Sequence, residues 1–585
     1  MPSDRKRSIL IWPVFLTLLA LLVTACGGSS GGNGNGPGAK LSNDKQVYVV
    51  PLSGISDVAT LDPALSTDAP SINALNLMFV GLVQLDDNLK VYGELAQNWS
   101  TSSDGLTWTF KLRDGLKFSD GNPITADDVI FSIDRALKPE LKSTVAPAYL
   151  SLIKDSDKRF AGKVPTLIND SLFAPDPTTV KIVTSQSAQY FLQALTYPTS
   201  YVVEKSFVQK YGDTDFLKHL NEGGCSGPFK LDQHISGKQV SFVPNSNYWG
   251  GKPQLQKLVY AFYKDPQTAY KAYKTNQIDQ AGVPTANLDE ARSLPNKQYR
   301  QVPQLTIDYF AMNYLAKPFN NIKIRQAFAL SIDKNAIQDR INKGARLATN
   351  HIVPQGMPGY NPNLKAPGGV TSTKGDKNLA KQLFQQGMQE ESYTLSNFPA
   401  VTVTVASGGS QTAKNLFQFA QQQWKDTLGV TVTINDEDFN KRLDDVSNTV
   451  GNGKLQMWFA AWGADYPDPE DWTTLLFGNG STNDSTNYGM GNSKTVAMQK
   501  QMQDLMLKAD VNQNNTERLA QYNQIEQQLV DDVAWIPIDQ RATSYVLKPC
   551  VQGVVDNAQS LVPPGDWAKV YKTSDSPCAN TNAYK

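Results

Sequence analysis

Histidine is scarce in this sequence, and this scarcity argues against several kinds of enzyme. The 585 residues include three histidines, His219, His234 and His351, which are far apart and lack the spacing of metal ligands. A histidine-based catalytic metal site or a histidine-dependent triad is therefore not predicted. Net charge is also absent, because 55 basic residues balance 55 acidic ones. Since nucleic-acid binding normally requires a basic face, we predict no nucleic-acid partner.

Long hydrophobic runs are missing apart from one near the amino terminus. Residues 9–25 are largely apolar, follow the basic residues 5–7 and end at Cys26. This arrangement is typical of a signal peptide, and residues 23–26 match a bacterial lipobox, whose cysteine accepts a lipid. A transmembrane helix is the alternative, because a run of this length nearly spans a bilayer. The single cysteine favours a signal peptide over residues 1–25 and a lipid at Cys26 that anchors the mature protein to the outer face of the cell membrane.

The segment after Cys26 has few residues that could enter a core. Residues 27–40 form a Gly/Ser/Asn tract without large apolar side chains, which predicts a flexible tether over residues 26–44. The length of the remaining chain predicts two or more lobes with separate cores.

Cysteines are few, and their number becomes odd once Cys26 carries lipid. Cys225, Cys550 and Cys578 then remain in an oxidising compartment, where one thiol is left free or pairs outside the chain. Cys550 and Cys578 would close a loop of about 28 residues, which would stabilise the fold by roughly 3 to 4 kcal/mol in the chain-entropy model. We predict that these two residues form a disulfide.

Strand and helix patterns alternate along the body of the chain, which predicts an α/β fold. Apolar residues alternate over residues 108–112 and 116–118 on either side of Asp114-Gly115, the pattern of a β-hairpin. Thr125 with Asp128 three residues later predicts a capped helix that ends before Pro139.

Further amphipathic segments predict helices later in the chain. They cover residues 323–332 and residues 411–428, and the second is closed by Gly429 and followed by a strand pattern over residues 430–434. Apolar stripes at helical spacing also occur after Met498 and after Leu519. The Met-rich stripe could be an adaptable binding surface, although such spacing is more typical of a core.

Several short strings, taken together and in order, resemble a known family. They are LDP at 61–63, LAQNW at 95–99, FSDG at 118–121 with TADDV at 125–129, SGPFK at 226–230, NSNYWG at 245–250, NY at 313–314, PFNN at 318–321, IRQAF at 324–328 and AWGADYPDP at 461–469. The chain resembles the family 5 extracellular solute-binding proteins, which include the oligopeptide- and dipeptide-binding components of ABC importers. The resemblance covers nearly everything from residue 47 to residue 551.

The resemblance implies a two-lobed periplasmic-binding-protein clamshell of the class II, or cluster C, type, with an extra subdomain inserted in lobe one. The implied division is 45–75 for the first part of lobe one, 76–190 for the inserted subdomain, 191–302 for the second part of lobe one, 303–534 for lobe two and 535–585 for the carboxyl-terminal return to lobe one. We expect the two crossings of the hinge near residues 302–308 and 533–538, where Pro303 and Pro537 preset the backbone.

The resemblance also implies a role in transport. A cleft between two lobes can enclose a ligand when it closes, and the loaded form is recognised by a membrane permease of the ABC type. The chain lacks a G-x-x-x-x-G-K-[ST] string, so it is not expected to hydrolyse nucleotide. We predict a monomer that binds and delivers a short peptide, with no cofactor and no catalytic activity. A secreted hydrolase with paired carboxylates and a scaffold protein are the alternatives from other classes.

The implied ligand site centres on Asp465. In peptide-binding relatives the aspartate that matches Asp465 receives the α-amino group of the peptide, and the aromatic residue that matches Trp462 packs beside it; Gly463 and Ala464 complete the string. A carboxylate in a poorly hydrated cleft can form a charge-assisted bond to an ammonium group. The alternative is that Asp465 begins an Asx-type turn into residues 466–469.

Two further residues are candidates for the cleft, and one cluster suggests a metal. Ser71 stands where some peptide-binding relatives carry an acidic ligand-contacting residue, and Trp535 lies at the second crossing, where it faces either the cleft or the hinge core. Asp468, Glu470 and Asp471 could suggest a hard cation site, but two prolines break the ligand spacing, and we predict no metal. An oligosaccharide, a metal chelate or another small solute remains the alternative to a peptide.

Overall fold

The structure is a computed structural model, which describes residues 38–66, 68–481, 483–491 and 495–584. The predicted signal peptide, the predicted lipid attachment at Cys26 and most of the predicted tether lie outside these residues. Within the described ranges, no helix combines the length and apolar character that a membrane crossing requires.

The strands form several sheets of mixed direction. In chain order they are β1 (Val47–Ser53), β2 (Val83–Leu85), β3 (Val91–Gly93), β4 (Ala96–Thr101), β5 (Thr107–Leu112), β6 (Leu172–Asp176), β7 (Thr179–Val183), β8 (Phe229–Ile235), β9 (Gln239–Pro244), β10 (Lys257–Tyr263), β11 (Gln280–Gly282), β12 (Tyr299–Met312), β13 (Leu347–Ala348), β14 (Val401–Val405), β15 (Val432–Asp436), β16 (Met457–Gly463), β17 (Trp535–Leu547), β18 (Val551–Gln552) and β19 (Tyr571–Lys572).

The helices cover the faces of these sheets. In chain order they are α1 (Ala69–Met78), α2 (Ala126–Ala136), α3 (Ala146–Tyr149), α4 (Ser156–Phe160), α5 (Phe191–Ala194), α6 (Lys205–Tyr211), α7 (Pro266–Lys274), α8 (Leu288–Arg292), α9 (Ile322–Leu330), α10 (Lys334–Arg340), α11 (Lys377–Glu390), α12 (Gln411–Leu428), α13 (Phe439–Ser447), α14 (Thr474–Phe477), α15 (Val496–Val511) and α16 (Asn515–Asp531).

The first lobe contains a four-stranded sheet in the order β1-β10-β9-β8, in which β1 and β10 are parallel. Phe242 and Trp567 belong to the core on one face of this sheet, and Val49 packs with Tyr270 on the other. Because successive side chains of a strand point to opposite faces, a sheet buried on both sides needs apolar residues at nearly every position.

A second four-stranded sheet, in the order β4-β5-β7-β6, packs against α2 around its own core. The predicted hairpin between residues 108–112 and 116–118 is wrong. β5 pairs with β4 and β7, while residues 116–118 make only an isolated bridge at Lys117. Leu116 and Phe118 are apolar because they enter the core of this sheet, and alternation alone does not identify the partner strand.

The predicted capped helix is confirmed as α2. The Asp128 carboxylate accepts hydrogen bonds from the backbone N and Oγ1 of Thr125 at 2.9 and 2.7 Å, the reciprocal contact of a capping box. The helix ends at Ala136, before Pro139.

The second lobe is built on a sheet in the order β11-β17-β12-β16-β14-β15, with β13 also paired to β17. Phe310 and Ile536 lie in the core on one face of this sheet, whereas Tyr309 and Trp535 lie in the core on the other. The predicted helix at residues 411–428 is confirmed as α12, and Gly429 follows it in the left-handed conformation, φ 74°. In the Met-rich stripe, Met502 and Met506 are buried and Met498 is 44% exposed, so most of the stripe is core.

Two long antiparallel strands, β12 and β17, run from one lobe to the other. Their register shifts between Pro303, which faces Ala542, and Ile307, which faces Gln540. Val302, Tyr545 and Leu547 belong to the first-lobe core, and Ile307 to the second. The irregular pairing is consistent with a hinge at residues 303–307 on β12. On β17 the core contacts change lobe between Ile538 and Tyr545, later than the boundary at residue 535, and the domain boundaries stay predictions.

The structure joins Cys550 and Cys578 by a disulfide whose Cα atoms are 5.4 Å apart. Cys225 is a buried free thiol, and burial raises its pKa to about 12, so it is not reactive.

Candidate functional site

A cavity of about 350 Å³ lies between the two lobes. The first lobe lines it with the start of α1 and with residues between 193 and 201, and the second lobe lines it with residues 464–467. Residues of the carboxyl-terminal return, between 558 and 561, and Leu305 of the crossing strand β12 complete the lining. A ligand in this cavity would therefore contact both lobes.

Asp465 reaches the cavity from the end of β16. This strand pairs with β12 as far as Gly463, opposite Thr306, and the Ala464 amide then donates to the Leu305 carbonyl oxygen at 2.9 Å. A Cβ on Gly463 would lie 3.2 Å from the Thr306 hydroxyl oxygen, so this close pairing favours glycine. Ala464 and Asp465 both line the cavity.

The carboxylate of Asp465 has no ion-pair partner among the described residues, and the Asp465 residue as a whole is exposed to solvent. Protein atoms nevertheless surround much of the carboxylate, and this partial desolvation raises its pKa. The alternative role, capping a turn, belongs to another residue, because the Asp468 side chain accepts a hydrogen bond from the Glu470 amide at 3.0 Å and caps the turn Pro469–Trp472. Asp465 is therefore available to a ligand.

Trp462 lies beside the cavity without lining it. It is half-buried and packs against the second-lobe core. Its indole Nε1 donates to Asp471 Oδ2 at 3.2 Å, and the Asp465 amide donates to the same oxygen at 3.3 Å. One buried carboxylate thus holds both residues.

The acidic residues after Asp465 form a buried cluster. Asp468 makes a bidentate ion pair with Arg518 in which both side chains are 1% exposed, which gives its charge a local partner. Burial, with repulsion from Asp510, raises the pKa of Glu470 to about 8. Burial likewise raises the pKa of Asp471, with Asp465 and Glu470 as further causes.

The opposite wall of the cavity is aromatic. Tyr149 and Tyr197 stack with ring centroids 3.5 Å apart, and both line the cavity. Burial, with a smaller contribution from Asp465, raises the pKa of Tyr197 to about 12. The two tyrosines are far from Asp465 in sequence and belong to no string quoted above, so the sequence did not single them out.

Direct contacts also link the two lobes at the edge of the cavity. Tyr190 stacks on Tyr466 at 5.5 Å, and Gln193 donates to Asp468 at 3.3 Å. These residues too were missed, because nothing in their local sequence indicates a partner in the other lobe.

Ser71 and Trp535 do not reach the cleft. Ser71 is fully buried in the first turn of α1, where its amide donates to the capping Asp68 carboxylate at 2.9 Å. Trp535 is 4% exposed and stacks on Tyr309, with centroids 3.6 Å apart. Ser71 is turned inward by its place in the capped first turn of α1, and Trp535 is held by aromatic packing within the second-lobe core.

One group of possible metal-binding residues occurs elsewhere among the described residues. Asp279 lies with Cys550 and Cys578, with ligand atoms within 4.8 Å of one another. The two sulfurs are bonded to each other, and the Asp279 carboxylate is 2.8 Å from Lys572 Nζ, so these groups already have partners.

Comparison with known proteins identifies relatives along most of the chain. The family model described as bacterial extracellular solute-binding proteins, family 5 Middle, matches residues 90–484. The dipeptide-binding protein DppE of Bacillus subtilis is 25% identical over 94% of this chain and 97% of its own length. The periplasmic oligopeptide-binding protein OppA of Salmonella typhimurium is 27% identical over 87% of this chain and 90% of its own.

Solved structures share the two-lobed α/β fold. The unliganded open form of the murein tripeptide binding protein MppA superposes with a TM-score of 0.79 at 24% identity, covering 92% of this chain and 99% of that one. Haemophilus influenzae OppA in complex with the peptide RPPGFSPFR superposes with a TM-score of 0.62 at 21% identity, covering 91% of this chain and 99% of that one.

Proposed function

The chain belongs to the bacterial extracellular solute-binding proteins of family 5, and from this membership we propose that it captures a short peptide between its lobes and delivers it to an ABC-type importer. The observation that carries the proposal is the Asp465 carboxylate, which lines the interlobe cavity and has no ion-pair partner among the described residues. An ammonium group is the natural partner for a partly desolvated carboxylate. The α-amino group of a peptide supplies one.

The ligand would join the lobes. Asp465 belongs to the second lobe, whereas the stacked pair Tyr149 and Tyr197 faces the cavity from the first. Ring faces are attractive to cations, so an ammonium group would interact favourably with both walls. Such contacts stabilise a closed state over an open one.

Affinity for a free amino group tests this role directly. Trialanine and N-acetyl-trialanine are titrated calorimetrically into the wild type, Asp465→Asn and Asp484→Asn. Losing one partner of a buried charged pair costs about 2 to 5 kcal/mol, which is at least tenfold in affinity. We expect the wild type to prefer the free amine by at least tenfold and Asp465→Asn to lose this preference.

Asp484→Asn is the matched control, because Asp484 is a buried acid of the second lobe, 1% exposed, that does not line the cavity. It should bind as the wild type does. Equal binding of both peptides by the wild type, or an unchanged preference in Asp465→Asn, would contradict amine capture. Mass spectrometry of the copurified ligand then decides between a peptide and another solute.

The protein would act outside the cytoplasm, held at the outer face of the membrane by a lipid at Cys26, and as a monomer. The lipobox at residues 23–26 supports the anchor. Catalysis is not part of the proposal, since the ligand site pairs one free carboxylate with aromatic walls and a glycosidase would need two acids at a set separation. Metabolic labelling with a palmitate analogue should mark the wild type and not Cys26→Ser.

A further inference from the structure

A second cavity, of about 300 Å³, lies in the first lobe next to the crossing strands. It is enclosed by the end of β1, one face of α1, β11 and residues 554–562 of the carboxyl-terminal return. Asn73 and Leu561 line both this cavity and the one that contains Asp465. The two spaces are therefore neighbours that share a wall, and we call the second one the apolar chamber.

The walls of the chamber are mainly hydrophobic. Val50, Leu52, Leu77 and Val302 line it. Val555 also lines it and keeps 50% of its surface exposed. An exposed apolar surface in a pocket gains free energy when an apolar group covers it.

Three of the polar side chains that line the chamber already have partners. Tyr48 donates to Gln280 Oε1 at 2.6 Å, and Asn76 donates to the Val562 carbonyl oxygen at 3.0 Å. The Asp556 carboxylate forms an ion pair with Arg300 and accepts from the Tyr545 hydroxyl. A charged side chain in the chamber would find no free counterion among these groups and would lose hydration.

We propose that the apolar chamber is a specificity subsite that receives an apolar side chain of the ligand whose ammonium group binds Asp465. This inference rests on the proposed function and narrows the ligand class to peptides with a large hydrophobic residue. Burying one such side chain should increase affinity roughly 10- to 100-fold over alanine at the same position. A lysine or aspartate at that position should gain nothing.

Gly282 allows the chamber to be filled without strain. It lines the chamber, a Cβ added to it meets no atom within 4 Å, and its φ is outside the left-handed region. Gly282→Leu therefore places an aliphatic side chain at the cavity. Gly565→Leu is the matched control, because a Cβ at Gly565 is equally unhindered and Gly565 does not line the chamber.

The experiment titrates trialanine and the three tripeptides with a single phenylalanine into the wild type and both variants. We expect at least one phenylalanine peptide to bind the wild type and Gly565→Leu roughly tenfold or more tightly than trialanine. In Gly282→Leu this gain should disappear while trialanine binding is retained. Val555→Asp, at a half-exposed position, should also abolish the gain and provides a second variant if Gly282→Leu does not fold.

The outcomes separate the two proposals. If trialanine binds and no phenylalanine position increases affinity, or if the gain persists in both Gly282→Leu and Val555→Asp, the chamber is not a subsite and peptide binding stands. If the wild type binds none of the four peptides, the proposed function fails, and the chamber inference fails with it.

Discussion

Asp471 is the residue whose replacement tests most sharply how the cleft is organised. It is fully buried, and its Oδ2 atom accepts the indole Nε1 of Trp462 at 3.2 Å and the backbone amide of Asp465 at 3.3 Å. It does not line the cavity, so we expect it to affect ligand binding through these two contacts. Asp471 is in this sense a positioning residue.

Replacing Asp471 by leucine removes the acceptor while keeping a buried side chain of similar size. Each hydrogen bond contributes a net stabilisation of about 0.5 to 1.5 kcal/mol, so the two together contribute about 1 to 3 kcal/mol. If this stabilisation is needed to orient Asp465, trialanine binding should weaken roughly 5- to 150-fold. Asp471→Asn retains a carbonyl oxygen that can accept both hydrogen bonds, and it should bind within about threefold of the wild type.

The assay combines calorimetric titration of trialanine with the NMR resonance of the Trp462 indole N–H in the ligand-free protein. The sequence contains ten tryptophans, so Trp462→Phe identifies the resonance. The resonance should move in Asp471→Leu and stay close to its wild-type position in Asp471→Asn. Asp484→Asn, which alters another buried acid of the second lobe, should leave both measurements unchanged.

Two results would refute this reasoning. Wild-type affinity in a folded Asp471→Leu variant would mean that the contacts of Asp471 do not orient Asp465. Equal weakening in Asp471→Asn and Asp471→Leu, with the indole resonance unmoved in the asparagine variant, would mean that charge rather than hydrogen bonding is what matters.

Two further predictions concern stability in urea unfolding. Arg518→Met leaves the Asp468 carboxylate, 1% exposed, without its cation, which should lower the free energy of unfolding by about 3 to 5 kcal/mol. Lys218→Met, at an exposed ion pair, should leave the free energy of unfolding unchanged. Similar losses in both variants would contradict the role of burial. Burial raises the pKa of Asp484 to about 7, so the folded protein retains a proton that the unfolded chain releases near pH 4. The contribution of Asp484 to stability should therefore fall as the pH rises from about 4 to 7, by up to about 1.4 kcal/mol per pH unit. Asp484→Asn should remove that decline, and identical pH profiles for variant and wild type would count against it.

Local signals predicted local structure well. Thr125 with Asp128 identified α2 and its cap, and Gly429 marked the end of α12, because both features are decided within a few residues of chain. The hairpin at residues 108–118 failed for the opposite reason. β5 takes its partners from both sides of the sequence, including a strand about 70 residues later, and alternation does not specify a partner.

In the candidate site too, the sequence predicted a residue within a contiguous string and missed contacts between distant residues. Asp465 could be found from the string WGAD, which is contiguous, and the cavity does contain it. Tyr149 and Tyr197 stack across a separation of 48 residues, and no spacing rule predicts that contact. Position along the chain suggested Ser71 for the cleft and left Trp535 open between the cleft and the hinge core, and both side chains are buried.

The sequence by itself determined the α/β character of the body and the acidic residue at the end of β16, because each depends on neighbouring residues. The signal peptide and the lipid at Cys26 stay predictions. The tertiary structure decided which carboxylates are satisfied and which one faces the cavity. Asp468 meets Arg518 and Asp471 meets Trp462, while Asp465 has no such partner among the described residues. The physical reason is that whether a carboxylate is paired or free depends on its burial and on the partners that folding brings to it. Neither is set by the order of residues along the chain alone.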